Sequence, residues 1–485
     1  MRRSHIARSP KVEPMLRRAL LTSTLVTALA LSGACTSVAD DAAGTHTSGD
    51  AMTSDAAQAP AQATTSGPPT AISSDRRGLQ AADGTPFVWV ADTAWMLTQK
   101  LTRSQIEQYL DTRVEQGFTV VQMVAVAGRD GTFGHTANAQ GDLPYDGDFG
   151  HLRATGTYWD HVDFAIKAAQ QRGLTVALLP AWSVAHAGVT LRDDNARGYG
   201  RFLAQRLRTA GAAPVVWVMG GDDTNPHTAV WRELLAGVRE TGDRGLVSYH
   251  PAGWHTSLGQ VDGADFEMVQ TSHCQGVRDG YPSLLAQTRS QAPDRPVVDA
   301  EPLYEDHPWC WDSSQGYSTT QQVRAQLWWS VFGGGFGATY GHHSVWQFYD
   351  GSSPINSPQP TWSQALSAPV AQQVRHLRTY LESVKGLGMA PDDAALTAGQ
   401  GEGWSRAVAL RSASGDRVSV YLPTPRSLDV DGARLEGARF AVTWFNPRTG
   451  ATVEGPARAR NDLAGLRPPP SGDGDDWVVT IRRLA

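Results

Sequence analysis

The chain has 485 residues, 41% hydrophobic and 19% charged, with a formal net charge of −6. That length exceeds one ordinary core, so two domains plus extensions are expected. The acidic balance and the lack of a Lys/Arg-dense run argue against a nucleic-acid partner. Sixteen tryptophans stand out: most should fill a large core, but an exposed indole face also stacks well on a sugar ring.

At the N-terminus, Arg17-Arg18 precede an apolar run from Ala19 to Leu31, followed by Ser32-Gly33-Ala34-Cys35. This reads as a secretory signal too short for a membrane span. Small residues before a lone Cys resemble a bacterial lipoprotein cleavage box, with Ser32 where an aliphatic residue is usual. Residues 1–35 are therefore read as a signal peptide and Cys35 as a lipidation site, ahead of plain secretion. Residues 36–72, dominated by Ala, Thr, Ser, Gly and Asp, read as a flexible linker. The protein is expected to be exported to the cell surface or beyond, touching a membrane only through that anchor. Cys274 and Cys310 remain, and outside the cytoplasm they are expected to form one disulfide between loops near the site.

Folded structure is expected from near Gly78. Phe87–Ala91 reads as a strand ending at Asp92, and a helix runs from Leu101-Thr102 to Arg113, closed by Gly117. Thr119–Val126 is a second strand, followed by a long polar loop from Gly128 to about Gly156. Helix Tyr158–Gln171, strand Leu174–Leu179 and helix Asp194–Ala210 come next. The organising stretch is Pro214-Val215-Val216-Trp217-Val218-Met219-Gly220-Gly221-Asp222, an unbroken apolar run delivering an acid after two glycines. Such runs are strands buried on both faces of a parallel sheet. Helix Trp231–Glu240, strand Leu246–Tyr249 before His250, and strand Asp265–Gln270 before Thr271-Ser272-His273 follow. Helix 282–290 precedes strand Pro296–Ala300, which delivers Glu301; helix Thr319–Phe332 and strand Phe336–Tyr340 lead to Gly341-His342-His343. Eight strand–helix alternations are what a (β/α)8 TIM barrel requires, and a doubly wound sheet is the runner-up without its glycine-rich phosphate loop. After the helix Val370–Val384, short β-rich runs at Ala407–Leu410, Val418–Tyr421, Phe440–Phe445 and Trp477–Ile481 predict a small all-β sandwich. The barrel is assigned residues 73–388 and the sandwich 389–485.

In a barrel, strand C-termini converge on one pocket. Asp92, Gln122, Trp182, Asp222, His250, His273, Glu301 and His342 all fall there. Asp222 on the fourth strand and Glu301 on the seventh face each other across the ring, the paired carboxylates that glycoside hydrolysis needs. Trp95, Trp254 and Trp346 join Trp182 as strand-end indoles, about half of which are expected to reach the pocket, and Gln270 either hydrogen-bonds sugar or satisfies a loop carbonyl. No His-x-x-x-His or Cys/His set has ligand spacing, so neither metal nor cofactor is expected. No Gly-x-Ser-x-Gly elbow supports a serine hydrolase.

Several stretches resemble the apiosidase-like barrel of glycoside hydrolase family 140, also catalogued as domain of unknown function 4038: Asp83-Gly84-Thr85-Pro86-Phe87, Ala91-Asp92-Thr93-Ala94-Trp95, Val218-Met219-Gly220-Gly221-Asp222, Glu301-Pro302-Leu303-Tyr304-Glu305 and Tyr340-Gly341-His342-His343-Ser344-Val345-Trp346. The tail, with Trp444-Phe445-Asn446-Pro447-Arg448-Thr449-Gly450, resembles the collagen-binding-type β-sandwich that follows that barrel. The resemblance spans roughly residues 74–485. It implies a retaining hydrolase with Asp222 as acid/base and Glu301 as nucleophile. It also implies an oligo- or polysaccharide substrate such as the apiosyl linkage of a pectic side chain, with Tyr304 among the substrate contacts. Asp223 competes with Asp222 for the acid role, and Asp299 and Glu305 compete with Glu301. Another pentofuranosidase, an exo-glycosidase or a non-catalytic glycan- or collagen-binding protein are the rival readings.

Overall fold

Eight short parallel strands arrange the site: β1 (Trp89–Thr93), β2 (Val120–Val126), β3 (Thr175–Ala181), β4 (Val216–Gly220), β5 (Val247–His250), β6 (Glu267–Gln270), β7 (Val297–Asp299) and β8 (Gly337–Tyr340). The computed structural model describes residues 67–127, 137–182, 189–224, 227–274, 277, 280–281, 283–470 and 476–485. The signal peptide, Cys35 and the first part of the long loop after β2 lie outside the described residues. Among those described, no helix is long and apolar enough to cross a membrane.

Each barrel strand is buried along its whole length, as strands covered on both faces must be. Strands β8-β1-β2-β3-β4-β5 form one continuous parallel ladder, and β6 pairs with β7. Two joints complete the ring. At the first, the Asp265 N–H donates to the Val247 carbonyl at 2.8 Å. The Ser248 hydroxyl donates to the Phe266 carbonyl there at 2.7 Å. At the second, the Phe336 N–H donates to the Val297 carbonyl at 3.0 Å. Trp89 plugs the lower end, with Phe266 and Phe336 meeting it edge-on at 5.9 and 5.8 Å.

The outer layer comprises α1 (Arg103–Glu115), α2 (Thr157–Gln171), α3 (Asp193–Thr209), α4 (Thr228–Glu240), α5 (Leu284–Gln291), α6 (Thr320–Phe332) and α7 (Pro369–Val384). Thr102 with Gln105 and Thr319 with Gln322 form capping boxes that start α1 and α6. The expected eighth alternation is incomplete. The β5–β6 connection carries no helix; its strand His255–Thr256 pairs antiparallel with β6 instead. A further difference lies at the start. Pro69–Ile72, inside the stretch read as linker, is a strand paired with Leu79–Ala81. Its four residues carry too little periodicity to reveal themselves without that partner.

The C-terminal domain is built on β9 (Val408–Arg411), β10 (Arg417–Leu422), β11 (Arg439–Phe445) and β12 (Trp477–Arg483), antiparallel in the order β9-β10-β12-β11. One face packs Val418, Val420, Phe440, Val442 and Ile481 into its own core, covered by the ribbon Leu396–Ala398/Asp429–Val430 and loops. The opposite face lies on the barrel, where Trp328 of α6 stacks on Tyr421 at 5.7 Å. Beside that stack, buried Asp476 accepts from the Arg324 Nε at 2.8 Å and the Arg324 Nη2 at 2.9 Å. It also accepts from Arg448 Nη1 and the Tyr421 hydroxyl, each at 3.0 Å. The turn at Asn446 aims that arginine, with the Asn446 Oδ1 accepting from the Arg448 N–H at 2.9 Å.

Candidate active site

Strand β4 ends in a backbone conformation that strongly favours glycine. Gly220 has φ +83°, and a Cβ there would lie 2.5 Å from the His250 carbonyl oxygen and 2.7 Å from the Tyr249 ring. The close approach lets β4 and β5 deliver their terminal side chains to the same place. Asp222 follows with φ +53°, a left-handed geometry uncommon outside glycine that turns its half-buried carboxyl over the barrel axis. Gln270, at the end of β6, donates to Asp222 Oδ1 at 2.8 Å. Of the two adjacent acids, Asp222 is the one grouped with Glu301.

Glu301 lies two residues beyond β7 and is 3% exposed. Its Oε1 sits 3.0 Å from His273 Nε2, and its Oε2 sits 3.3 Å from His250 Nε2. Asp222, His250 and Glu301 each place one polar atom within 4.8 Å of the other two. These three could also ligate a cation, although Glu301 Oε1 is already committed to His273.

The two carboxyls are driven apart electrostatically. Burial, then the charge of Glu301, push Asp222 up to about 7, partly offset by His250 and the Gln270 hydrogen bond. Burial alone would raise Glu301 too. The close approach of His250 and the hydrogen bond with His273, with their charges, overcome it and hold Glu301 below the usual carboxylate range. Near neutral pH one group keeps its proton while the other is ionised. A pair separated in this way can act as acid and anion in one reaction.

Aromatic rings shape the rest of the pocket. Trp95 and Trp182 lie 5.1 Å apart and flank His250 at 5.1 and 5.7 Å. Tyr304 packs 4.4 Å from the His273 ring and against Gly341, where a Cβ would meet it at 2.2 Å. Burial, then the Glu301 charge, hold the Tyr304 proton firmly in place.

Other sequence candidates take supporting positions. Asp92 is fully buried and turned away from the pocket toward α1, where Arg113 Nε and the Tyr109 hydroxyl each meet its Oδ2 at 2.6 Å. The reading of Asp92 as a substrate contact is therefore corrected: side chains alternate along a strand, and its position faces the helices. Gln122 does point inward, but it is fully buried and donates to the Ala300 carbonyl at 2.9 Å, one residue before Glu301. His342 caps the short turn His343–Trp346, its Nδ1 accepting from the Ser344 N–H at 3.0 Å. Trp346 is buried beneath the rim, with its indole N–H directed to His343 Nδ1 at 3.4 Å.

The rival acids have structural partners. Asp299 is buried and raised to about 7 by that burial, against hydrogen bonds from Thr271. The Thr271 hydroxyl donates to its Oδ2 at 2.6 Å. Glu305 accepts from the Val370 N–H at 3.1 Å and the Tyr340 hydroxyl at 2.7 Å, a carboxylate at the start of α7. Cys274 and Cys310 are disulfide-bonded, with Cα atoms 4.5 Å apart.

Thr271, His307 and Trp311 escaped the sequence reading. His307 stacks on the far face of His273 at 3.9 Å. Trp311 is 43% exposed at the rim. Its position next to Cys310 in a polar, serine-rich stretch was the available signal, because an indole in such a loop has no core to fill.

The family model described as "Apiosidase-like, catalytic domain" matches residues 73–387, and that described as "Putative collagen-binding domain of a collagenase" matches residues 390–482. No curated protein matches the chain. Among solved structures, one described as a glycoside hydrolase is 27% identical, covering 86% of this chain and 97% of its own, with a TM-score of 0.76. A glycoside hydrolase family 5 structure from Bacteroides vulgatus ATCC 8482 is 26% identical, covering 87% and 95%, with a TM-score of 0.78.

Proposed function

The chain belongs to the family of apiosidase-like catalytic domains and is a glycosidase, and on that premise we propose that it cleaves with retention of configuration, Asp222 serving as acid/base and Glu301 as nucleophile. The observation that carries this reading is the approach of the two carboxyls, which bring oxygens within 4.8 Å of each other. Retaining enzymes hold their carboxyls about 5–5.5 Å apart, whereas inverting ones leave about 6.5–9.5 Å for a water.

In the first step an oxygen of ionised Glu301 bonds to the anomeric carbon as the glycosidic C–O bond breaks. Asp222 passes its proton to the departing oxygen. Gln270 holds Oδ1, leaving Oδ2 for that transfer. In the second step Asp222, now a carboxylate, takes a proton from water, whose oxygen bonds to the anomeric carbon. The sugar–Glu301 ester bond breaks and the carboxylate is restored. His250 and His273 favour Glu301 as an anion in both its attacking and its leaving roles.

The family description supports an apiosyl linkage as the one cleaved; a pectic side chain of the plant cell wall as its source rests on the sequence resemblance alone. The signal-like N-terminus ending at Cys35 supports export with a lipid anchor, and the Cys274–Cys310 disulfide suits an oxidising compartment.

The test is sugar release from a panel of cell-wall glycans by wild type and Glu301→Gln, with products identified by mass and the first-formed anomer by NMR. Apiose released with retained configuration by wild type alone is the expected result. Full turnover by Glu301→Gln, or inversion, would overturn the mechanism, and release of a different sugar would replace the substrate.

A further inference from the structure

Of the sixteen tryptophans, all within the described residues, Trp311 alone is exposed. Its surroundings are built rather than loose. Cys310 and Trp311 are consecutive left-handed residues, with φ of +55° and +62°. Such conformations persist only where neighbouring structure enforces them. Three constraints do so here: the disulfide to Cys274, the Cys310 N–H donating to the His273 carbonyl at 3.2 Å, and the Trp311 N–H donating to the Pro308 carbonyl at 3.1 Å.

The indole is held among other rings without being covered by them. His307, His273, His343 and Trp346 have centroids 4.5, 5.7, 6.0 and 6.2 Å from it, all at interplanar angles of 71–89°. Among the described residues, no ring stacks parallel on Trp311. It stands one side chain from the centre of the site, since His273 contacts both Trp311 and Glu301. Trp95 and Trp182 are buried around His250, whereas Trp311 faces solvent at the mouth.

We propose that Trp311 is a specificity-determining residue that stacks on a sugar unit adjoining the one cleaved, so that the site takes an oligosaccharide chain rather than an isolated terminal sugar. The proposal rests on the glycosidase reading of the pocket. A rigid amphipathic ring fixed before binding loses little conformational freedom when a pyranose or furanose face settles on it. The disulfide thereby links recognition to chemistry: Cys274 follows the histidine that holds Glu301, and Cys310 precedes the indole.

The experiment compares wild type, Trp311→Ala and Trp311→Phe on two substrates, an apiose-bearing pectic oligosaccharide and 4-nitrophenyl apioside. Trp311→Ala is expected to raise KM for the oligosaccharide about tenfold while leaving kcat and the aryl glycoside kinetics within twofold of wild type, and Trp311→Phe to recover most of the loss. Equal effects on both substrates, or none on the oligosaccharide, would overturn the proposal. The same oligosaccharide is titrated calorimetrically into Glu301→Gln and the Glu301→Gln/Trp311→Ala double variant. If wild type cleaves neither substrate, the apiose reading fails on its own; about tenfold weaker binding by the double variant still upholds the platform. Equal binding by both, or binding by neither, removes it.

Discussion

His273 Nε2 lies 3.0 Å from Glu301 Oε1, and the next residue along, Cys274, is disulfide-bonded to Cys310. His273 is thus gripped from both sides, with its ring also stacked on His307 at 3.9 Å. Replacing it by Ala removes a charge-assisted hydrogen bond of about 1.5–3 kcal/mol, so kcat/KM should fall by about tenfold to a hundredfold. Because His273 is among the groups lowering Glu301, the acidic limb of the pH–rate profile should move to higher pH. An unshifted limb in the His273→Ala profile would count against this positioning role.

The alkaline limb belongs to Asp222. Its carboxyl, raised to about 7, must be protonated to release the leaving group, so kcat/KM should decline as pH rises through that value. A substrate with a 2,4-dinitrophenyl leaving group departs without a proton, and its glycosylation step should lose the decline. The pair titrates jointly, so the two limbs report the coupled site.

The same shift has a consequence for stability. Between about pH 4, where Asp titrates in the unfolded chain, and about pH 7, the folded state binds the extra proton, so this group's contribution falls as pH rises. Asp222→Asn removes that penalty. Its Tm should exceed that of wild type at pH 8 and lie close to it at pH 4, while activity on natural substrate is lost. Differential scanning calorimetry at both pH values checks the sign; a stabilisation confined to pH 4 would contradict it.

Gly220→Ala should damage both fold and site. The new Cβ would need the space of the His250 carbonyl, 2.5 Å away, in a backbone at φ +83°. A loss of about 1–3 kcal/mol is expected from the strained conformation. Displacement of His250 should reduce kcat beyond what the stability change explains, which urea titration alongside kinetics would separate.

Asp476 is the anchor between the barrel and the C-terminal sheet. Its carboxylate faces Arg324 of α6 and Arg448 of the Asn446 turn, with side chains 0%, 4% and 7% exposed. Asp476→Ala removes a buried carboxylate that two guanidinium groups share, at a cost of about 3–5 kcal/mol. Denaturant unfolding should show that loss, and limited proteolysis should cleave between the domains sooner. A variant as stable as wild type would mean that water replaces the anion there.

Much of the architecture was legible because its signals are local. Apolar runs bounded by glycine and proline marked the barrel strands, and the Thr-x-x-Gln boxes at Thr102 and Thr319 mark helix starts. The run into Gly220-Gly221-Asp222 and the short strand before Glu301 put both acids at strand ends without reference to any other residue. Pro69–Ile72 and His255–Thr256 were missed because two to four residues become strands only through the partners they pair with.

By itself, then, the sequence determined the order of most elements, the succession of a barrel by a β-rich C-terminal part, and the acids available at the rim. Tertiary structure alone decided what those residues face. Asp92 and Glu301 both read as strand-end acids, yet one turns outward to Arg113 and the other inward between His250 and His273. The reason is physical: side-chain direction depends on strand parity and on how the ring closes, and a carboxyl's protonation depends on burial and neighbouring charge. None of these quantities is written in a spacing, and the exposure of Trp311 arises in the same way, from a loop that the disulfide holds beside His273.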